Sequence, residues 1–121
     1  MRVIIAGSRD ITDIAHVVQA IDESGWADEI TCVISGTARG VDRLGEQWAE
    51  CCDIAIERFP ADWARLGKAA GHLRNAEMAE HADALIALWD GKSPGTKGMI
   101  QIATRKGLKV FVYRTDLHHG I

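Results

Sequence analysis

The chain has 121 residues, of which 47% are hydrophobic and 26% are charged, and its formal net charge is -3 at pH 7. This composition excludes a disordered or collagen-like chain, and the length predicts a single domain over residues 1–121. We expect no membrane contact, because no apolar run reaches about 18 residues. A nucleic-acid partner is disfavoured, because the acidic excess gives no overall attraction to phosphate backbones, although a local basic patch is compatible with it.

The first strand and its helix open the chain. Residues 2–6 are apolar and predict a strand, and the following residues have the apolar spacing of a helix, with Thr12 as its N-cap and Gly25 as its left-handed stop. The first ten residues lack the basic segment and long apolar stretch of a signal peptide. The three cysteines, Cys32 and the adjacent pair Cys51 and Cys52, do not fit a secreted disulfide framework, so we expect a cytoplasmic protein.

The remaining elements continue the same alternation. Residues 31–34, 54–59, 84–89 and 109–113 predict four further strands. A second helix begins near Val41, a third covers about residues 72–82, and a fourth follows Thr96 and ends at Gly107. Residues 60–71 hold either a short helix around residues 63–68 or an irregular loop, and a connection of this length is often functional.

Strict alternation of strands and helices predicts the fold class. Parallel strands need crossover connections, and right-handed crossovers leave few topologies. The run ALIALW at residues 84–89 is apolar on both sides of its strand, which is typical of a central position covered by helices on both faces. We therefore predict an α/β, Rossmann-like, three-layer α/β/α fold with a five-stranded parallel sheet in the order 3-2-1-4-5. Ligands of such sheets bind at the carboxyl ends of the strands, near strands one and four.

Glycine stands beside a hydroxyl residue in three loops at these carboxyl ends: GSRD, SGTARGVD and WDGKSPGTKG. Free backbone N–H groups, hydroxyls and nearby arginines or lysines suit a phosphate, although strand-to-helix turns also use glycine and serine for tight geometry alone. Trp63 and Trp89 lie near this edge and either stack on a base or pack in the protein. The predicted ligand-binding residues of the loops are Gly7, Ser8, Arg9, Ser35, Gly36, Thr37, Arg39, Gly40, Asp42, Gly91, Lys92, Ser93, Gly95 and Thr96.

Several chemistries lack their motifs. The sequence has no G-x-x-x-x-G-K-[ST] loop, no G-x-G-x-x-G after the first strand and no G-x-S-x-G turn, which disfavours P-loop, dinucleotide and acyl-transfer chemistry. The histidines are scattered, and His118 and His119 have no cysteine or carboxylate at ligand spacing. We therefore predict neither a metal nor a cofactor.

The three loops together with the run GHLRNAEMAEHADALIALWDGKSPGTKGMIQIA resemble the YspA-like, YpsA-related branch of the SLOG superfamily. That superfamily also holds the LOG phosphoribohydrolases and the DNA-processing protein DprA. The resemblance covers nearly the whole chain. It implies a Rossmann-like domain that binds nucleotides or nucleotide-derived ligands, and it implies a homo-oligomer, because relatives commonly pair.

Matching the LOG motifs to this sequence residue by residue adds two candidate ligand-binding residues. It also implies that one glutamate of the LOG enzymes is absent here. Arg74 matches the catalytic arginine of the LOG enzymes, and Asn75 follows it in the same helical run. Gly98 and Met99 stand where the LOG enzymes carry a glutamate, and a carboxylate there would stabilise the positive ribose of the transition state. Asp90 and Asp42 are the nearest candidates to replace it, and the catalytic pair under this interpretation is Arg74 with Asp90.

Three functions follow in order. The first is binding, as a sensor or store, of a nucleotide-derived small molecule such as a nucleoside phosphate or an ADP-ribose-like ligand. The alternative is a LOG-like hydrolase that cleaves the N-glycosidic or phosphate linkage of such a ligand. Single-stranded DNA binding in the manner of DprA is third, because the chain is acidic overall.

Overall fold

Strands and helices alternate through residues 1–117, which are the residues that the computed structural model describes. Three-ten turns cover Ala27–Glu29 and Gly67–Ala69. His118 and His119, for which no metal role is predicted, lie outside the described residues. In chain order the elements are β1 (Arg2–Gly7), α1 (Ile14–Ser24), β2 (Cys32–Ser35), α2 (Val41–Cys51), β3 (Ala55–Arg58), α3 (Trp63–Leu66), α4 (Ala70–Glu80), β4 (Ala84–Trp89), α5 (Pro94–Lys106) and β5 (Lys109–Arg114).

The five strands form one parallel sheet in the order β3-β2-β1-β4-β5. Ile4 on β1 pairs with Ile34 on one side and with Leu85 on the other, so β1 lies at the centre. The chain order reverses between β1 and β4, and this is the switch point at which ligands of open α/β sheets bind. The predicted fold class and strand order are confirmed.

Helices cover both faces of the sheet. Val3 and Ile5 of β1 belong to a buried cluster with side chains of α1 and α2, whereas Ile4 and Ala6 belong to a second cluster with side chains of α4 and α5. Successive strand residues point to opposite faces, so the uninterrupted apolar sequence of β1 serves two cores at once. Gly45 allows α2 to approach the sheet closely, because a Cβ there would lie 2.9 Å from Cγ2 of Ile5.

Helix starts differ from the prediction at three places, one of which is α5, since it begins at Pro94 and not after Thr96. Asp13, not Thr12, caps α1, and its Oδ1 accepts a hydrogen bond of 2.9 Å from the backbone N–H of Ala15. Helix α4 begins at Ala70, two residues earlier than predicted, and Ala69 before it offers no side-chain cap. The left-handed stops at Gly25 and Gly107 are confirmed, with φ of 76° and 81°.

The segment between β3 and α4 contains a one-turn helix, α3. Its cap is Asp62, which accepts a hydrogen bond of 3.2 Å from the backbone N–H of Arg65 and one of 3.0 Å from the side chain of the same residue. Of the two alternatives that the sequence left open, the short helix is the observed one. Among residues 1–117, no helix is long and apolar enough to span a membrane.

Candidate functional site

Two adjoining cavities of about 680 Å³ and 490 Å³ lie at the carboxyl edge of the sheet. The larger one is bordered by the end of β1 and by the first turns of α4 and α5. The smaller one is bordered by the loop after β2 and by the segment after β3. The walls of both include Arg9, Ala38, Arg39, Trp63 and Arg74. The cavities therefore form one two-lobed site beside the switch point.

Gly40 brings the loops after β1 and β2 together. Its φ is 81° and its ψ is -131°, a backbone conformation that side-chain-bearing residues rarely adopt. A Cβ at this position would overlap the carbonyl oxygen of Ser8 and would lie 2.6 Å from the Cα of Arg9. The backbone N–H of Val41 also donates to the Ser8 carbonyl at 3.3 Å. These contacts fix the position of Ser8 and Arg9 at the cavity wall.

Ser35 supports the loop after β2 from below. Its side chain is fully buried, and its hydroxyl donates to Oε2 of Glu46 at 2.6 Å. The Ser35 Oγ also accepts a hydrogen bond of 3.1 Å from the backbone N–H of Thr37, which has a left-handed φ of 64°. Ser35 thus shapes the loop that lines the smaller lobe but is not part of the lining itself.

Arg74 reaches from α4 across the site. It donates to the backbone carbonyl of Gly36 and, at 2.8 Å, to Oδ1 of Asn75. Burial lowers the pKa of the Arg74 guanidinium, and the nearby charge of Arg9 lowers it further, whereas Asp42 raises it. The guanidinium is partly removed from water and borders both lobes, which favours strong pairing with an anion.

Asp42 is the buried carboxylate of the site, with an exposed fraction of 5%. Burial raises its pKa to about 6, against the opposing effects of the Ala38 N–H, which donates to it at 3.2 Å, and of Arg74. A Cβ at Gly36 would lie 2.7 Å from Nη1 of Arg74 and 2.8 Å from Oδ2 of Asp42. A side chain at position 36 would therefore displace the Arg74 guanidinium or the Asp42 carboxylate from the loop.

Helices α4 and α5 start at the larger lobe with no side-chain cap. The residues of their first turns that line it are Gly71, His72, Pro94, Gly95 and Thr96. Neither Ala69 nor Ser93, which precede these helices, makes a side-chain cap hydrogen bond. Helices α1 and α3 do have aspartate caps. The first N–H of α4, on Ala70, donates to the carbonyl of Gly67 in the preceding 3-10 turn. Pro94 has no N–H, so the backbone N–H groups of Gly95 and Thr96 in the first turn of α5 are the ones left for a ligand or for water.

Most of the predicted ligand-binding residues meet at the two lobes. Those that line one or both are Gly7, Ser8, Arg9, Gly36, Thr37, Arg39, Asp42, Arg74, Asn75, Ser93, Gly95 and Thr96. Those that line neither are Ser35, Gly40, Asp90, Gly91 and Lys92. The first two act on the loops from behind, as described above, and the other three belong to the turn after β4.

Asp90 closes that turn on itself. Its Oδ1 accepts hydrogen bonds from the backbone N–H groups of Ser93 at 2.7 Å and Lys92 at 2.8 Å, and its Oδ2 accepts one of 2.9 Å from the Ser93 hydroxyl. These bonds hold the pKa of Asp90 below its usual value. Gly91, with a φ of 81°, lies against the guanidinium of Arg114. Both carboxylate oxygens of Asp90 are thus occupied by its own turn.

Sequence reasoning missed the lining residues Lys68 and Gly71, because they precede the predicted start of α4 and no capping residue marks its true start. Of the two tryptophans considered, Trp63 lines both lobes. Trp89 instead packs under Arg114, whose guanidinium carbon lies 5.2 Å from the ring centroid, and its Nε1 donates to the carbonyl of Ser93 at 3.1 Å. Within residues 1–117, no group of three His, Cys, Asp or Glu side chains is placed to hold a metal ion.

Comparison with known proteins places this geometry in a family. Residues 1–66 match the family described as YAcAr: YspA, cpYpsA-related SLOG family. The Gene 61 protein of Mycobacterium phage D29 is 37% identical over 116 residues, which cover 90% of this chain and 93% of that protein. The X-ray structure of DNA processing protein A (DprA) from Streptococcus pneumoniae superposes with a TM-score of 0.68 at 17% identity. That match covers 93% of this chain and 49% of the DprA chain, so the chain spans about half of DprA and shares its fold.

Proposed function

The chain belongs to the YspA, cpYpsA-related SLOG family, and from that premise we propose that it binds a phosphate-bearing, nucleotide-derived small molecule in the two-lobed site. One observation carries the proposal: helix α5 begins at the larger lobe without a side-chain cap, beside three arginines. Uncapped N–H groups and the positive end of the helix dipole favour a phosphate at this position. The acidic charge of the whole chain does not oppose it, because the arginines are concentrated at the site.

The larger lobe provides the phosphate contacts in this proposal. Gly95 leaves open space at the start of α5, since a Cβ there would meet nothing within 4 Å. The hydroxyls of Ser8 and Thr96 line the same lobe, and both residues are buried. Backbone N–H groups, hydroxyls and a guanidinium are the donors that phosphate oxygens accept. Arg74, which borders both lobes, forms the charge-assisted contact.

Calorimetric titration with AMP and ADP-ribose tests the proposal. The wild-type protein binds at least one of the two, and Arg74→Gln weakens binding by tenfold or more, because a charge-assisted hydrogen bond contributes roughly 1.5–3 kcal/mol. Arg105→Gln is the matched control: Arg105 is exposed in the last turn of α5, away from both lobes, and its loss leaves the affinity unchanged. Absence of binding to the folded wild-type protein at millimolar probe would contradict the proposal.

A second candidate is hydrolysis of the same ligand class, and Asp42 is the observation that favours it. A buried carboxyl with a pKa raised to about 6 beside an arginine is typical of acid–base groups in active sites. Asp90, the candidate from the sequence, has both oxygens engaged in its own turn. Hydrolysis predicts release of adenine or adenosine from AMP, detected by chromatography and abolished in Asp42→Asn. An intact probe after prolonged incubation would leave binding alone as the function.

A further inference from the structure

Trp63 is a large aromatic side chain that is exposed to solvent at the two-lobed site. Its exposed fraction is 51%, and it lines both lobes. The other tryptophans among the described residues have packing partners in the protein. Trp26 makes an edge contact with Phe111 at 6.4 Å between ring centroids, Trp48 packs against the buried cluster of α1 and α2, and Trp89 lies under Arg114. Burying an exposed indole against a ligand would release a large apolar area from water.

The position of the indole is fixed from two directions. Helix α3, which carries Trp63, is held by the cap and ion pair between Asp62 and Arg65, with Nε and Oδ2 at 3.0 Å. On the other side the ring lies against the first turn of α4, where a Cβ at Gly71 would come within 3.1 Å of Cη2 of Trp63. A glycine at that place lets the ring approach the helix backbone. The indole therefore forms a preformed wall of the site.

The two lobes differ in chemistry. In the smaller lobe Pro60, Ala61 and Trp63 form an apolar patch among polar side chains, whereas the buried hydroxyls of Ser8 and Thr96 and the uncapped start of α5 line the larger lobe. Arg74 borders both lobes. An apolar aromatic wall and a phosphate-binding wall joined by an arginine match a molecule with a planar base at one end and a phosphate at the other.

We propose that Trp63 is the platform on which the base of the ligand stacks, so that the site selects nucleotides over sugar phosphates. The inference rests on the proposed function and adds to it the part of the ligand that the smaller lobe recognises. Stacking of a base on an aromatic side chain is tolerant of base identity, because every base has a π-face. Selection by Trp63 therefore distinguishes a nucleotide from ribose 5-phosphate more strongly than it distinguishes adenine from other bases.

Calorimetric titrations with AMP and with ribose 5-phosphate measure this selection. In the wild-type protein AMP binds about tenfold tighter than ribose 5-phosphate or better, as expected for one stacked base. Trp63→Ala removes that difference by weakening AMP alone, and Trp63→Phe, which keeps an aromatic face, retains most of it. Leu73→Ala is the matched control, because Leu73 is an apolar side chain of α4 with an exposed fraction of 47% and lies outside both lobes. It leaves both affinities unchanged.

The outcomes separate the inference from the function on which it rests. If both probes bind the wild-type protein but Trp63→Ala weakens both equally or neither, the platform is overturned while phosphate binding stands. If Trp63→Ala changes the native mass of the protein and not its selectivity, Trp63 contacts a second copy and the inference is likewise overturned. If neither probe binds the folded wild-type protein, both proposals are overturned. A thermal melt of each variant confirms that it is folded during the titration.

Discussion

Gly40 is the residue at which the loops after β1 and β2 touch, and its replacement tests how far the site depends on that contact. Gly40→Ala combines a disfavoured backbone conformation with an overlap against Ser8 and Arg9. We expect it to reduce the free energy of unfolding by about 3 kcal/mol or more. Urea denaturation followed by circular dichroism measures the change.

The matched control for Gly40 is Gly67, which has a similar backbone conformation, with φ of 56° and ψ of -136°, but open space around it, since a Cβ there would meet nothing within 4 Å. Gly67→Ala carries only the backbone penalty and costs about 1–3 kcal/mol. Equal losses in the two variants would show that the loop contact does not contribute to stability.

Asp42 predicts a pH dependence of stability with a definite sign. Its pKa is raised from 3.8 to about 6 by burial, so between these pH values the folded chain keeps a proton that the unfolded chain has lost. The free energy of unfolding therefore falls as pH rises through this window, by about 3 kcal/mol in total for a shift of about two pKa units. Asp42→Asn removes that fall, as urea denaturation at pH 4.5 and pH 7 measures.

Asp90→Asn is the control for this pH profile. The pKa of Asp90 is lowered by hydrogen bonds from Ser93 and Lys92, so its contribution is complete above pH 3.8 and is lost only as pH falls further. The slope between pH 4 and pH 6 should thus be unchanged in Asp90→Asn. A slope that survives in Asp42→Asn would contradict the burial of an ionisable carboxyl at the site.

The sequence was informative about loop residues and less so about their partners. Gly36 and Gly95 could be predicted because parallel strands bring their carboxyl ends to one edge, whatever the side chains do. The proximity of Asp42 to Arg74 could not, because Arg74 comes from α4, which no local pattern connects to the loop after β2. Asp90 was a candidate by position alone, and only its hydrogen bonds show that the turn uses both of its oxygens.

Among the elements, α5 starts without a side-chain cap, so a negative charge added in its first turn should raise the stability of the protein and weaken phosphate binding. Gly95→Asp places a carboxylate in the first turn of α5, where the helix dipole stabilises it by about 0.3–1 kcal/mol relative to the neutral Gly95→Asn. The same charge repels a phosphate at this position. We expect Gly95→Asp to melt at a higher temperature than Gly95→Asn and to bind AMP at least tenfold more weakly.

Gly95→Asn has nearly the same volume as Gly95→Asp, so the comparison isolates charge. Equal AMP affinities in the two variants would place the phosphate away from α5. A thermal melt without ligand and a calorimetric titration with AMP supply the two measurements.

Strands were more predictable than helix starts for a physical reason. A buried parallel strand must be apolar on both faces, which leaves a visible run such as ALIALW in β4. The start of α4 has no capping side chain, so the sequence pattern begins only where its apolar face does, two residues late. Helix α3 has only four residues, which is too short for the helical pattern of apolar residues at i, i+3, i+4 and i+7 to be recognised in the sequence.

For the molecule as a whole, the order 3-2-1-4-5 followed from alternation and crossover handedness, and the similarity to DprA at 17% identity shows the same fold on a very different sequence. Fold does not determine function, so the ligand must be argued from the site. The homo-oligomer expected from the family resemblance stays a prediction, and the native mass of the purified protein checks it.

Titration of the ¹⁵N-labelled protein with AMP, followed by two-dimensional NMR, shows directly whether the two-lobed site binds a nucleotide. We expect saturable shifts of the backbone amides at the two lobes, in particular Gly36, Gly71 and Gly95, whereas amides at the opposite edge of the sheet, such as Gly107, do not shift. Arg74→Gln should reduce these shifts at equal AMP concentration. A spectrum that AMP leaves unchanged, or shifts confined to residues outside the two lobes, would contradict nucleotide binding at this site.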